Sequence, residues 1–455
     1  MEQTNNIDTH TRRIVTIILL VTCFISLMSQ TMMVTALPVI QKDLHVSMNA
    51  AQWLTTGYTL IIGVVTPLSS NMYEKFTNRH VFLTTLGIFI VGTVMGCFAT
   101  NFLTLLAARL VQACAGGMLM SFQMTTMISI YPPEKRGSIL GLSSLVISVG
   151  PAIGPTISGL ILQVMSWRYL FILVLPFMVL AWICGYFKLA NYSQPRDINI
   201  DILSVVISLL GTALTLGSMT ALTINLWLGL GMLISGLLVL TIFVRRQLKL
   251  VNPMLKVQIF LKPSFRLMTI VTICAFMIML GTEQMIPIFT ENVQGVSSFM
   301  SGMILLPGAL CNAVVAPIAG HFYDEHGPVI PLFAGFTVIL LASIPLVTVN
   351  AHTPLWLLTS AYALRMVGNG MIFGPALSEA FTKLSLAENS HGTALNNSLR
   401  QCFGAVSVTM LVVISNLPAK LIVGIRTSLW VTVGLTFLMI ITFIYYLSVK
   451  NHLKE

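Results

Sequence analysis

Hydrophobic positions in this chain do not alternate with polar ones; they run unbroken. Fourteen apolar runs lie near 14–39, 50–70, 80–99, 102–127, 138–163, 168–188, 200–221, 225–244, 266–289, 299–318, 328–349, 355–377, 393–414 and 427–448. Each is about 20 residues or longer, enough to cross a hydrocarbon core of about 30 Å as a helix. A transmembrane β-barrel would alternate apolar and polar residues instead. Between the runs stand helix breakers: Pro132-Pro133, Asn191 to Pro195, Pro253, Pro263 and His326-Gly327-Pro328. The connections are short, which leaves no room for a large extramembrane domain. The pattern predicts an all-α polytopic membrane protein with fourteen transmembrane helices and both termini on one side.

Composition agrees. Of 455 residues, 56% are hydrophobic and 8% charged, with a mean hydropathy of +0.90. A soluble globular chain carries about 25% charge, so this one cannot cover a water-facing surface. Disorder, a coiled coil and a secreted disulfide scaffold are excluded by the same figures. The net charge of +10 sits in short loops without a continuous basic face, so nucleic acid is not an expected partner. Of 24 Lys and Arg, three lie inside runs. Seventeen of the rest fall in loops on the side of the termini and four opposite (Lys42, Arg168, Lys420, Arg426). The positive-inside bias then predicts cytoplasmic termini and a multi-pass protein of the cell membrane. The seven cysteines all lie in apolar runs with no metal-ligand spacing and read as small buried hydrophobes. No cleavable signal peptide is evident, because the first run is too long and no small-residue cleavage site follows it.

The chain repeats itself weakly. The loop Ser70-Asn71-Met72-Tyr73-Glu74-Lys75-Phe76-Thr77-Asn78-Arg79 corresponds to Gly320-His321-Phe322-Tyr323-Asp324-Glu325-His326-Gly327, and Arg109-Leu110-Val111 to Arg365-Met366-Val367. This divides the chain into a six-helix bundle (1–190), a two-helix insert with a linker (191–261) and a second six-helix bundle (262–455). Parallel halves of this kind describe a secondary transporter with its substrate site between them near mid-membrane.

These stretches resemble the major facilitator superfamily, and more narrowly its fourteen-helix drug:proton antiporter branch. A Gly-Pro-rich fifth span, the branch's antiporter signature, appears as Gly150-Pro151-Ala152-Ile153-Gly154-Pro155-Thr156-Ile157-Ser158-Gly159. The fourth-span signature appears as Arg109-Leu110-Val111-Gln112-Ala113, followed by Gly116-Gly117. Trp167-Arg168-Tyr169-Leu170-Phe171, the run from Pro253 to Phe265, and Leu395-Asn396-Asn397-Ser398-Leu399-Arg400-Gln401 match further family patterns. Two departures matter. The family's loop Asp-Arg-x-Gly-Arg-Arg is reduced here to Glu74-Lys75-Phe76-Thr77-Asn78-Arg79, without the glycine. In the first span, Ser29 stands where the branch usually carries an aspartate shortly before Ala36-Leu37-Pro38. The family argument for a proton carrier on the first helix therefore fails.

Ionisable groups inside spans are expensive and by default functional. The one acid well within a run is Glu283, in the outer third of the ninth. A carboxyl held out of water favours its neutral form. It can take a proton on one side, release it on the other, and bind a cation in between. The bland alternative is a structural glutamate hydrogen-bonded at the outer interface. Arg109 and Gln112 share one helix face. The resemblance implies that Arg109 lies in the central cavity and assists proton coupling; the alternative is a guanidinium satisfied by backbone carbonyls. Arg365 is its repeat-mate. Arg400 reads equally as a gate or a snorkelling anchor. Gly150, Gly154 and Gly159 with Pro151 and Pro155 predict a kinked, closely packed helix that seals an outer leak path, or plain packing. The resemblance implies that Glu74, Lys75, Arg79, Asp324 and Glu325 form cytoplasmic latches, which otherwise are ordinary loop charge. Asp201 reads as a helix cap. With 26 Met and 24 Phe, an adaptable cavity is expected, and Gln30, Met33, Trp53, Tyr58 and Phe122 are its candidates.

There is no phosphate loop, nucleophile–base constellation or metal cluster, so neither an enzyme nor a nucleotide-driven pump is expected, and no cofactor is implied. The expected function is proton-coupled efflux of amphipathic, cationic drugs by alternating access, performed by a monomer. Glu283 would be the titrating group and Arg109 its helper. The rivals are an exporter of one dedicated metabolite or lipid-like compound, and a non-transporting sensor or assembly protein. The missing first-helix acid leaves uniport or altered stoichiometry as a further alternative.

Overall fold

In lipid, backbone N–H and C=O groups have no water to bond, so apolar runs must close them within helices. The computed structural model describes residues 8–189, 191, 201–250, 253 and 255–452, and forms fifteen α-helices and no strand among them. They are α1 (Thr9–Asp43), α2 (Met48–Val65), α3 (Ser69–Lys75), α4 (Asn78–Cys97), α5 (Phe102–Ile130), α6 (Arg136–Val164), α7 (Arg168–Lys188), α8 (Ile202–Ile224), α9 (Leu226–Lys249), α10 (Pro263–Asn292), α11 (Ser298–His326), α12 (Val329–Val347), α13 (Leu355–Phe381), α14 (Leu386–Asn416) and α15 (Leu421–His452). A short 3-10 turn at Thr66–Leu68 joins α2 to α3, with Pro67 in its first turn, so the two act as one bent rod. Eleven of the helices are, by length and composition of their described residues, apolar enough to cross a membrane. α2, α8 and α13 fall outside that count: they are shorter in described residues or, like α13, interrupted by Arg365 and Asn369. The protein is a multi-pass, all-helical membrane protein. Residue 190, the stretch 192–200 with Pro195 and Arg196, and Lys454 lie outside the described residues.

Local signals start the helices. Ser47 caps α2 through the Ala50 N–H, and Ser297 caps α11 through the Met300 N–H. The two serines occupy equivalent places in the repeat. Asn101 and Thr104 form a reciprocal capping box at the head of α5, and Ser385 with Glu388 does the same for α14.

α1 packs on α6, α7 and α2, while α5 lies between α2 and α4. In the second bundle α13 lies against α10, α11 and α12, and α15 against α10, α12 and α14. α8 and α9 form a hairpin, and α8 leans on α2 and α14. Asp201 stands at the N-cap position of α8, where an acid suits the helix dipole, as expected. Its carboxylate accepts from Ser204 Oγ at 2.7 Å and pairs with Arg246 Nη2 at 2.8 Å, tying α8 to α9. The bundles meet through α6 with α11 and α13, and through α14 with α3 and α5.

Candidate functional site

The site is built from the basic and acidic groups that the spans carry inward. Arg109 on α5 is fully buried. Its Nη1 donates to Gln112 Oε1 at 2.9 Å and to Ser29 O at 3.4 Å, and its Nε donates to Leu54 O at 3.5 Å. Nη2 donates to Gln30 O at 3.5 Å, and the guanidinium lies 4.1 Å from the centre of the buried Tyr58 ring. Gln112 in turn donates to Thr93 Oγ1 at 2.8 Å. Ser29 therefore faces Arg109 directly, with its Oγ 3.5 Å from Nη1. Around the guanidinium stand a hydroxyl and carbonyls, and no carboxylate pairs with it among the described residues.

The second bundle repeats the arrangement with a difference. Arg365 on α13 is 2% exposed and donates to Ser343 Oγ at 3.2 Å and to Thr432 Oγ1 at 2.6 Å. One turn away, Tyr362 is buried and lies within the electrostatic reach of both Arg365 and Glu283. Glu283 on α10 is half-buried and makes no hydrogen bond or ion pair among the described residues. The bonding partners of Arg109 come from α1, α2 and α5.

Arg400 sits midway along α14 and is fully buried. The guanidinium is sandwiched between the rings of Phe276 at 4.8 Å and Phe373 at 4.7 Å, and none of its three nitrogens has a hydrogen-bond partner. It neither snorkels nor pairs across a gate. Its neighbours on α14 do reach the other bundle. Asn397 donates to Ser121 Oγ at 3.2 Å, and Gln401 lies 3.8 Å from the Met120 sulfur.

At the end of the molecule that carries both termini the bundles are latched. Asp324 on α11 accepts from the Gly137 N–H at 2.7 Å, the Ser138 N–H at 2.9 Å and Ser138 Oγ at 2.7 Å, the exposed donors at the head of α6. Glycine makes the approach possible, since a Cβ on Gly320 would lie 2.1 Å from Gly137 O. Glu74 Oε1 lies 3.1 Å from Nε2 of the buried His391 on α14, a second contact between bundles. Arg79 instead stays within its own bundle, over the Tyr186 ring at 4.6 Å. Lys75 is half-buried, and Glu325 pairs only with the neighbouring exposed His321 and His326.

Helix α6 packs closely on both sides: its Gly-Pro-rich stretch approaches α1 of its own bundle, while Gly137 and Gly141 approach α11 of the other. A Cβ on Gly154 would meet Thr31 Oγ1 at 2.2 Å, and one on Gly150 would meet Leu27 Cβ at 3.1 Å, while Gly159 has nothing within 4 Å. Pro151 and Pro155 lie inside the helix and are half-buried. Of the cavity candidates, Met33, Tyr58 and Phe122 are buried, and Phe122 packs on Tyr73 and Phe82 within the first bundle. Gln30 is half-buried with its Nε2 3.5 Å from Thr59 Oγ1, and Trp53 is 48% exposed.

Paired helical bundles, a repeated buried arginine and a latch at one end match one known architecture, and residues 19–409 match the Major Facilitator Superfamily. The chain belongs to that superfamily. It is 39% identical over 412 residues to the MFS-type transporter YcnB of Bacillus subtilis (strain 168), covering 90% of this chain and 87% of that protein. It is 33% identical over 403 residues to the lincomycin resistance protein LmrB of the same organism, covering 87% and 83%. Among solved structures, that of the human organic anion transporter MFSD10 superposes with a TM-score of 0.70 at 13% identity, covering 95% of this chain and 99% of that one, a likeness of fold alone. Superfamily membership makes the chain a transporter rather than an enzyme.

One acid escapes the sequence reading. Glu379, two residues past the predicted end of its span, is buried and accepts from Tyr323 Oη at 2.8 Å, from Tyr446 Oη, and from Lys450 Nζ at 2.6 Å. It ties together the ends of α11, α13 and α15. The available signal was an acid in a helix already rich in Gly and Ser, with Tyr and Lys at matching depth in the last span.

Proposed function

We propose that this transporter exports amphipathic drugs across the bacterial cell membrane in exchange for protons, with both termini cytoplasmic and fourteen spans. The observation that carries the reading is Glu283, a half-buried carboxylate inside α10 without hydrogen bond or ion pair among the described residues. A carboxyl held in that way can hold a proton or a cationic drug but not both, and that competition is antiport in its simplest form. Two six-helix bundles would rock about the cargo, the insert α8–α9 riding on α2 and α14. On this reading the Asp324 cap and the Glu74–His391 contact would hold the cytoplasmic end shut and would part when that end opens. Arg365 is the buried arginine of the second bundle. Arg109, tied to Ser29 in place of the usual acid, is the conformational counterpart in the first bundle. Similarity to a lincomycin resistance protein supports drugs as cargo.

The test is proton flux in energised everted membrane vesicles, read with a pH-sensitive dye as lipophilic cations are added. Wild type should release protons on addition and Glu283→Gln should not. Release that persists in Glu283→Gln moves the coupling elsewhere. No release from wild type with any compound rejects drug:proton antiport.

A further inference from the structure

Three arginines lie inside the bundles, and their surroundings differ in kind. Arg109 donates to carbonyls, a hydroxyl and an amide; Arg365 donates to two hydroxyls. Arg400 donates to nothing, although it is as fully buried as Arg109. A guanidinium has five N–H donors and cannot shed its charge. Leaving it unpaired away from water costs several kcal/mol. The faces of Phe276 and Phe373 recover part of that through the ring quadrupoles, but they satisfy none of the N–H groups. No carboxylate among the described residues pairs with it. Glu379 is engaged by Tyr323, Tyr446 and Lys450, and Glu74 faces His391.

Position adds a second argument. Arg400 is on α14, which touches the first bundle, and the turn around it bonds across to α5 through Asn397 and Gln401. Cys23 of α1 lies within its electrostatic reach. A group bound there would touch both bundles, as a cargo in a rocking transporter must. Phe276 and Glu283 are seven residues apart on α10, hence on nearly one face and about 10 Å apart along the axis.

We propose that Arg400 is the docking point for an acidic group of the cargo, so that the preferred compounds are amphiphiles bearing a carboxylate, sulfonate or phosphate. An additional amine about 10 Å from the acid would reach toward Glu283. The flanking phenyl rings suit a flat aromatic body beside the acid. This assignment rests on the exporter reading above and narrows its cargo.

Rhodamine B and its ethyl ester share one cationic aromatic ring system and differ in a free carboxylate. Binding of each to purified protein in detergent at neutral pH, read by fluorescence polarisation, needs no proton gradient. Wild type should bind the acid about tenfold or more tightly than the ester, the worth of a charge-assisted pair. Arg400→Gln should lose that preference while its ester affinity, an internal control for folding, stays unchanged. Arg400→Lys should keep part of the preference, because the charge remains but the forked geometry does not. Equal binding of acid and ester by wild type overturns the assignment without a variant, and so does a preference that survives in Arg400→Gln. Binding of neither dye overturns it too. The antiport reading fails separately, by absent proton release in vesicles from a protein that still prefers the acid.

Discussion

At the residue scale, buried charge is where this protein departs from its sequence pattern. Arg109, Arg365 and Glu283 were legible as expensive intramembrane groups because a charge within an apolar run is conspicuous. Their partners were not, since each comes from a different helix: Ser29, Leu54 and Tyr58 for Arg109, Ser343 and Thr432 for Arg365. Glu379 shows the opposite failure, an acid near a run's end that looks like solvated loop until α11 and α15 close over it. Glu379→Gln should weaken its bonds to Tyr323, Tyr446 and Lys450 and cost about 2 kcal/mol. A lowered unfolding midpoint in detergent, with drug binding intact in the surviving fraction, is the expected result; an unchanged midpoint would show that this cluster does not stabilise the second bundle.

At the element scale, glycine position decides how close helices come. α6 sets Gly154 against α1 so closely that Gly154→Ala must push Thr31 or the helix aside, at a cost of about 1–3 kcal/mol. Gly159→Ala meets open space and should be neutral or slightly stabilising, because alanine favours helix. Unfolding midpoints of the two variants check this contrast. Repetition of Gly along α6 was visible in the sequence, but not that Gly150 and Gly154 face α1 while Gly159 faces nothing. The α8–α9 hairpin offers a pH test. Burial pushes the Asp201 carboxyl up, yet hydrogen bonds from Ser204 and Arg246 outweigh it and hold the group below the ordinary carboxylate value. A depressed folded value means its stabilisation is present above the unfolded pKa and fades as pH falls through the folded one. Asp201→Asn should therefore lower the unfolding midpoint at neutral pH, by an amount that shrinks as pH falls through the folded-state value of the carboxyl. A difference between the proteins that persists unchanged at the acid end would count against this role.

At the scale of the whole molecule, the bundles touch most closely where Asp324 caps α6 and where Gly320 meets Gly137. Asp324→Asn keeps the shape but removes a charge from a helix head, worth about 1 kcal/mol. That should shift the population about fivefold toward a form open at the end carrying the termini. Spin-label distances between the ends of α6 and α11 would report the shift, and unchanged distances would show that the cap does not govern the equilibrium.

Apolar runs and their breakers determined, without help from tertiary structure, that the chain is a helical membrane protein, because lipid leaves a long apolar backbone no other way to satisfy its N–H and C=O groups. The repeat also pointed to two matched bundles, while Asp324 as a latch came from the family resemblance and not from the repeat. Tertiary structure alone decided which face of each helix turns inward. A helix that is apolar all round carries little information about its own rotation, so only packing could set Arg400 against two phenyl rings, bring Arg365 to Ser343 and Thr432, and leave Trp53 half exposed.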